Sequence, residues 1–337
     1  MWTGPPLPEW RNIWWAVGLC LAALFAAPNA AIAQDAEATE REYHPLEVFQ
    51  LREDLLFRVG YRLATANAEF CDVTQPVSGV LLHDAEAYGE PAAVRYLFGL
   101  KGDLGVQSVA PGSPAELAGL RRNDTISALG GQAISTRWLP TRPGWQRGHD
   151  IRDFMDKELA AGTLDIDWFD AEGASRNAAL TPVPACASRF ELLTNSAKAS
   201  ADGERVLVGE SFPGFAYAED EFAALIAHEM AHNLLGHLDY FEESGRKRSL
   251  VRLSEREADR LMPWLLANAD YDPVAAARFM QLWGPRHGGW IFRKRTHDGW
   301  DERVEFIEAE LPLIAAAQAE TGKADWRAHF ERLLPLQ

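Results

Sequence analysis

The sequence predicts an α+β fold: a helix-rich domain with a small edge sheet, into which a smaller module of strands and helices is inserted. Two observations predict it. Apolar residues recur at three- and four-residue steps over residues 44–70 and in several stretches after residue 189, as on one face of an α-helix. Between them, residues 78–184 hold short apolar runs interrupted by glycine and proline, which favours strands and turns. The 337 residues are enough for two modest domains.

The first 33 residues have the pattern of a secretory signal peptide. An apolar run over residues 13–27 is followed by Ala31-Ile32-Ala33, a small-x-small cleavage pattern. We therefore expect export, with a mature chain that starts at Gln34. The run is shorter than the roughly 20 residues of a membrane-spanning helix. Because Arg11 is the only basic residue before the run, an uncleaved segment that anchors the protein to the membrane is the alternative.

The net charge and the cysteine content indicate which kinds of protein this chain can be. The net charge of −16 argues against a nucleic-acid-binding protein, which needs a basic surface. Of the three cysteines, Cys20 lies in the apolar run, so Cys71 and Cys186 remain in the mature chain. In an exported protein this pair favours a disulfide, with two buried free thiols as the alternative.

Helices are predicted for most of the chain outside the inserted module. After a polar tail over residues 34–42, we expect the long helix over residues 44–70 to pack on the larger domain, because a lone amphipathic helix cannot bury its apolar stripe. Beyond residue 189 the sequence predicts a short strand over residues 205–209 and helices over residues 219–235, 253–266, 273–283 and 301–317, with Pro263 as a candidate break.

Residues 78–184 carry the turn and capping signals of a compact module. Ser113 is a good N-cap, Pro114 suits the first helical position, and Glu116 completes a capping box. Gly130-Gly131 marks a hairpin turn. The stretch APGSPAELAGLRRNDTISALGGQAI resembles a PDZ domain.

The resemblance to a PDZ domain implies a peptide-binding groove. An extended peptide would add as a strand between a strand of the module and the helix predicted over residues 150–160. Residues 97–100 are the best match for the loop that holds the peptide carboxylate, whereas a long loop over residues 135–149 departs from the pattern. The alternative is that the module is a spacer that shapes access to an active site.

The sequence His228-Glu229-Met230-Ala231-His232 has the spacing of a zinc site on a helix. Residues four apart lie on one helix face, so His228 and His232 can direct their imidazoles at one point. Zinc accepts two such nitrogens, and Glu229 can take a proton from a zinc-bound water. In an unrelated helix the same five residues would form a polar face, so a third ligand is needed.

Glu255 and Asp259 are the best candidates to complete the site. A metzincin would need Gly at position 235 and His at position 238, but both positions hold leucine, which leaves His237 as a helix-end residue. Glu255 and Asp259 are four apart on the helix predicted over residues 253–266. Glu255 can supply the third ligand and Asp259 can hold the distal N–H of a ligand histidine. The alternative is a solvated run of charges on a surface helix.

His228-Glu-Met-Ala-His232, followed by Arg252-x-x-Glu255-x-Glu-Ala-Asp259, resembles the HtpX/BepA-like gluzincin metallopeptidases, the group that includes the CAAX prenyl proteases. The resemblance covers residues 189–310. It implies a zincin-like domain with one Zn²⁺ per chain, Glu255 as the third ligand and Asp259 as the partner of a ligand histidine. Thr296-His297-Asp298 and Arg303 match a further stretch. The resemblance implies that His297 lies beside the metal, as a transition-state donor or as a blocking fourth ligand; the alternative is a residue at a helix N-terminus.

The function that these resemblances imply is that of a periplasmic zinc endopeptidase. Its substrates would be unfolded or misassembled polypeptides, bound along the strand over residues 205–209 as an added edge strand, with peripheral association with the envelope as a further expectation. The alternative is a non-catalytic or autoinhibited peptide-binding protein with a plugged metal site. Cleavage preference and oligomeric state stay open. The predicted division is a signal peptide (1–33), a tail and long helix (34–77), a PDZ-like domain (78–184) and a metallopeptidase domain (185–337).

Overall fold

The computed structural model describes residues 43–141, 144–287 and 298–335. The predicted signal peptide, residues 34–42 and His297 lie outside the described residues. The fold is α+β, as the sequence predicted. In the part of the chain that the structure describes, no helix combines the length and the apolar character needed to cross a bilayer.

Helices and strands alternate in the first half of the chain, and helices dominate the second. The helices are α1 (Pro45–Ala66), α2 (Pro91–Phe98), α3 (Pro114–Leu117), α4 (Ile134–Arg137), α5 (Trp145–Ala160), α6 (Glu219–Leu234), α7 (His237–Ser244), α8 (Arg248–Asn268), α9 (Ala275–His287), α10 (Trp300–Thr321) and α11 (Trp326–His329). The strands are β1 (Thr74–Val77), β2 (Val80–Asp84), β3 (Leu104–Val109), β4 (Thr125–Leu129), β5 (Gln132–Ala133), β6 (Leu164–Phe169), β7 (Ser175–Leu180), β8 (Val183–Cys186), β9 (Arg189–Leu193), β10 (Ala199–Ala201) and β11 (Arg205–Gly209).

The helical region, residues 45–70 and 189–335, is built around α6. Phe222, Ile226 and Met230 of α6 are fully buried against α1, α8 and α9. A helix that is buried on several faces forms the centre of a domain rather than its surface. The motif helix therefore lies in the core, with its histidines held by the surrounding helices.

Helix α8 continues through Pro263, so the predicted break there is wrong. A proline inside a helix removes one backbone hydrogen bond, at a cost of about 3 kcal/mol. The neighbouring side chains Met262, Trp264 and Leu265 are fully buried in the same core. Burial of three large apolar side chains offsets that cost.

The sheet region, residues 80–180, has its own core. Its strands follow the order β2-β3-β4-β6-β7, all antiparallel, with β5 paired to β4. Ile151, Met155 and Leu159 of α5 pack on this sheet. The predicted cap of α3 is present, since Ser113 Oγ accepts the Glu116 N–H at 3.2 Å. Residues 135–149 are not one long loop, because they contain most of α4 and the start of α5.

The sheet region leaves and rejoins the helical region through a two-stranded ribbon. Strands β1 and β8 pair antiparallel, with Thr74 opposite Cys186. A disulfide joins Cys71 to Cys186, with the two Cα atoms 5.5 Å apart. The predicted disulfide is therefore confirmed, and neither thiol is free.

Helix α1 contacts both regions. Its apolar face, with Leu56, Val59 and Leu63, belongs to the core around α6. Its polar face meets β3, where Ser108 Oγ donates to Asp54 Oδ1 at 2.7 Å. The helix therefore packs on the larger domain through its apolar face, as predicted, and its polar face makes a contact with the sheet region that was not predicted.

Three strands form a small sheet beside α6, in the order β10-β11-β9. Residues 205–209 form the central strand, so the prediction that they are a substrate-binding edge is wrong. The physical reason is that Arg189–Leu193 supplies a parallel partner on one side, and the chain folds back at Gly203 to supply an antiparallel one on the other. Of the two edge strands, β10 contacts α6 and β9 contacts α1.

Candidate metal centre

Three side chains from α6 and α8 bring their donor atoms together. Nε2 of His228 lies 3.3 Å from Nε2 of His232. Glu255 Oε2 lies 3.6 Å from the His228 nitrogen, and its Oε1 lies 3.7 Å from the His232 nitrogen. Among the described residues, this is the one group of three or more histidine, cysteine, aspartate or glutamate side chains whose ligand atoms converge within 4.8 Å.

The spacing and chemistry of these donors fit a zinc ion. Ligand atoms about 2.0–2.2 Å from a tetrahedral zinc lie about 3.3–3.6 Å from one another. Two of the three separations, 3.3 and 3.6 Å, lie within this range, and the third, 3.7 Å, exceeds it by 0.1 Å. Two imidazole nitrogens and one carboxylate are also a donor set of catalytic zinc sites, which keep a fourth position for water or substrate.

The surroundings of His228 and His232 differ in charge. Burial lowers the pKa of His232 to about 3, which keeps its imidazole neutral. Burial also acts to lower the pKa of His228, but the carboxylates of Asp259 and Glu255 outweigh burial and raise this pKa to about 10. The environment of His228 therefore favours positive charge where the three donors converge.

Asp259 lies behind His228. Its Oδ1 is 3.0 Å from Nδ1 of His228, and the carboxylate is fully buried. Arg303 donates two hydrogen bonds to it, at 2.6 and 2.7 Å. Burial acts to raise the pKa of Asp259, but Arg303 and His228 outweigh it and hold the pKa below its ordinary value. Asp259 is therefore an ionised carboxylate within ion-pair distance of Nδ1 of His228.

A second buried group lies behind His232, and sequence reasoning missed it. Nδ1 of His232 is 2.8 Å from Nδ1 of His237, whose Nε2 is 2.9 Å from Oε2 of Glu257. Gly236, with φ of 63°, turns the chain after α6 so that His237 begins α7 beside His232. His237 is thus at a helix end, as predicted, but it is buried. The sequence signal that could have indicated this contact is a histidine directly after the glycine that ends the motif helix.

Glu257 is held by groups from the end of the chain. Arg332 Nε donates to its Oε2 at 3.0 Å, and the backbone N–H groups of Leu333 and Leu334 donate to its Oε1. Burial acts to raise the pKa of Glu257, but His237, the Leu334 N–H and Arg332 outweigh it and lower the pKa to about 2. Glu257 is therefore an ionised carboxylate inside the protein.

Glu229 lies between the donor cluster and the small sheet. It follows His228 on α6, and the backbone N–H of Ala201 in β10 acts to lower the pKa of its carboxylate. Burial raises the pKa of Glu229, with His228 acting in the opposite direction. A carboxylate with a raised pKa suits a group that takes up and returns a proton near neutral pH.

The residue after His297 is tied to α8. Arg256 donates to Asp298 Oδ2 at 2.9 and 3.1 Å. Arg256 directly follows the donor Glu255 in the sequence. Since His297 itself lies outside the described residues, its proposed role beside the metal stays a prediction.

In the sheet region, β2 is an edge strand and α5 packs beside it. Strand β2 ends the sheet path, and α5 contacts it. Arg147 of α5 binds Asp84 at the end of β2, at 3.4 Å. The proposed carboxylate loop over residues 97–100 is wrong, because the N–H groups of Gly99 and Leu100 donate to carbonyls of α2 and are not available to a peptide.

Comparison with known families supports one part of the chain. Residues 105–138 match the family model of the PDZ domain. The match runs from β3 to the end of α4, so it leaves out β2 and α5, the elements beside the expected groove. No curated protein matches the chain.

Proposed function

We propose that this chain is a zinc-dependent metalloendopeptidase. The observation that carries the proposal is the convergence of His228, His232 and Glu255 at the donor spacing of a zinc shell, next to Glu229. Bound zinc would polarise a peptide carbonyl and lower the pKa of the attacking water. The resemblance to HtpX/BepA-like metallopeptidases agrees with these roles.

Glu229 would carry the proton in this reaction. Its carboxylate takes a proton from the water that attacks the peptide carbon, and returns it to the amide nitrogen as the C–N bond breaks. The products are a free carboxylate and a free amine. The raised pKa of Glu229 supports both steps, because burial favours the protonated form between them.

The substrate would be an extended, unfolded polypeptide. Strand β10 is a short sheet edge, and its Ala201 N–H is near enough to Glu229 to lower the pKa of its carboxylate. A substrate that adds to this edge as a further strand would have its backbone beside the donor cluster. Folded proteins rarely expose such a segment, so unfolded or misassembled exported proteins are the substrate class. The disulfide supports an extracytoplasmic location.

The PDZ match supports peptide binding in the sheet region. A peptide that pairs with the edge of β2 and contacts α5 would be held through its main chain, with side-chain pockets for selectivity. Peptide binding without hydrolysis is the second candidate function, because the family match concerns this region. Binding of an unfolded polypeptide with bound zinc and no cleavage would favour it.

The test is zinc-dependent cleavage of an unfolded protein by the mature chain. We expect Glu229→Gln to lower kcat by roughly 10²- to 10⁴-fold, with zinc content and circular dichroism unchanged. Glu242→Gln, which alters an exposed glutamate on α7, is the matched control and should leave kcat unchanged. Full activity in Glu229→Gln would remove Glu229 from the mechanism.

A further inference from the structure

The two candidate ligand histidines have different partners on Nδ1. Nδ1 of His228 faces the carboxylate of Asp259, at 3.0 Å. Nδ1 of His232 faces another imidazole nitrogen, Nδ1 of His237, at 2.8 Å. A neutral imidazole donates from one nitrogen and accepts at the other. A contact between two imidazoles therefore fixes a tautomer only when a third group decides which ring donates.

Glu257 is that third group. Its Oε2 lies 2.9 Å from Nε2 of His237, and a carboxylate only accepts, so the proton of His237 is held on Nε2. Nδ1 of His237 is then an acceptor, and Nδ1 of His232 must donate to it. The lone pair of His232 is left on Nε2, 3.3 Å from Nε2 of His228 and 3.7 Å from Glu255.

The end of the chain keeps Glu257 in place. Its side chain is fully buried, and its two oxygens accept from Arg332, Leu333 and Leu334. Arg332 also donates to the carbonyl of Leu235, just after α6. A buried carboxylate is tolerated only when such partners surround it. The orientation of Glu257 therefore depends on residues 332–334.

We propose that His237 and Glu257 are positioning residues for His232, and that residues 332–334 act on the same histidine through Glu257. These hydrogen bonds involve no redox chemistry. Each one fixes which ring nitrogen carries the proton and which nitrogen keeps its lone pair. The inference rests on the proposed function, because it gives His232 the role of a ligand. It adds a hydrogen-bonded chain from the C-terminal segment to the metal centre.

The tautomer of His232 provides the first test. It is measured by NMR of labelled histidine ring nitrogens in the full mature chain, with metal removed by a chelator. We expect the wild type to carry the proton of His232 on Nδ1, and His237→Phe to populate both tautomers. A wild-type protein with the proton on Nε2 would overturn the proposal, whether or not the protein cleaves peptides.

Zinc affinity, measured by competition with a chromophoric chelator, provides the second test. We expect His237→Phe and Glu257→Gln to weaken zinc binding by roughly 10- to 100-fold, as for other partners of ligand histidines. His237→Gln should restore most of the affinity, because its amide can donate to Glu257 and accept from His232. Arg332→Ala should have a smaller effect, since both backbone N–H groups still bind Glu257.

His83→Leu is the matched control for loss of a buried histidine. His83 is buried in the sheet region and packs on Tyr88 and Phe98. We expect its replacement to leave zinc affinity unchanged. Equal zinc affinity in the wild type, His237→Phe and His237→Gln would overturn the positioning role. Absence of cleavage by a wild type that binds zinc with the expected ranking would instead count against the endopeptidase proposal alone.

Discussion

The helical region and the sheet region differ in how completely their buried polar groups are paired. In the helical region, Asp259 is bound by Arg303, and Glu257 by Arg332 and two backbone N–H groups. In the sheet region, both ring nitrogens of His83 lack a hydrogen-bond partner. Among the described residues, the sheet region holds four more buried side-chain polar atoms without a partner, which are Asp84 Oδ2, Arg147 Nε, Arg152 Nε and Trp168 Nε1. The helical region holds one, His228 Nδ1, which lies 3.0 Å from Asp259 Oδ1 without forming a hydrogen bond.

This difference affects both the stability of each region and the orientation of its buried side chains. A buried polar group without a partner costs about 1–3 kcal/mol. Fully paired charges hold side chains in one geometry, which a metal centre needs. We therefore expect the helical region to resist local opening more strongly than the sheet region, and the following predictions test that contrast.

The largest effect is expected for Asp259→Ala. The variant leaves Arg303 buried without its partner, which should lower the free energy of unfolding by about 3–5 kcal/mol. Zinc affinity should fall as well, because His228 loses the carboxylate that faces its Nδ1. Urea denaturation and chelator competition measure the two effects. Asp239→Asn, at an exposed position on α7, should change neither quantity. A loss below 1 kcal/mol in Asp259→Ala would contradict the expected difference between the two regions.

Replacing Cys71 and Cys186 together by serine tests the boundary between the regions. Loss of a disulfide that spans 115 residues should lower the free energy of unfolding by about 2–5 kcal/mol. Hydrogen exchange should rise more in β1 and β8 than in α6 and α8. Equal increases in all four elements would show that the two regions open together.

Glu53 gives the contact between α1 and β3 a pH dependence. Burial raises its pKa from 4.5 to about 7. Between these pH values the folded chain holds a proton that the unfolded chain has lost, so the free energy of unfolding falls as pH rises through this window. Glu53→Gln should remove the fall and be more stable than wild type at pH 8, by at most about 3 kcal/mol.

The two proteins should have equal stability near pH 4, where Glu53 is protonated in both states. Urea denaturation across the pH range measures the difference. Glu172→Gln, at an exposed position in the sheet region, should keep the wild-type profile. Parallel profiles for wild type and Glu53→Gln would contradict the assignment.

The smallest effect at neutral pH is expected for His83→Leu. Loss of the ring contacts with Tyr88 and Phe98 should offset the gain from removing two unpartnered polar atoms, so stability at pH 7 should change by less than about 1 kcal/mol. Burial lowers the pKa of His83 from 6.5 to about 4. As pH falls through this window the unfolded chain takes up a proton first, so wild type loses stability and the leucine variant does not. Urea denaturation at pH 7 and pH 4 measures this, and a large loss at pH 7 would contradict it.

The convergence of His228, His232 and Glu255 was predictable because it follows from local periodicity. Residues four apart share a helix face, and one contact between two helices completes the donor set. The partners of His232 were not predictable in this way. Glu257 meets residues 332–334, far along the sequence, and a contact of that range leaves no periodic signal. The prediction that residues 205–209 form an edge strand failed for a similar reason. The pairing of Arg189–Leu193 with β11 is a tertiary contact that local periodicity does not show.

The disulfide at the base of the β1–β8 ribbon closes residues 71–186 into a covalent ring. The ring contains the whole sheet region, while α1 lies on one of its two tails and the helices of the candidate metal centre lie on the other. A single backbone cut anywhere inside the ring therefore leaves α1 covalently joined to α6 and α8. Such a nicked protein would migrate as one species without reductant and as two fragments with it.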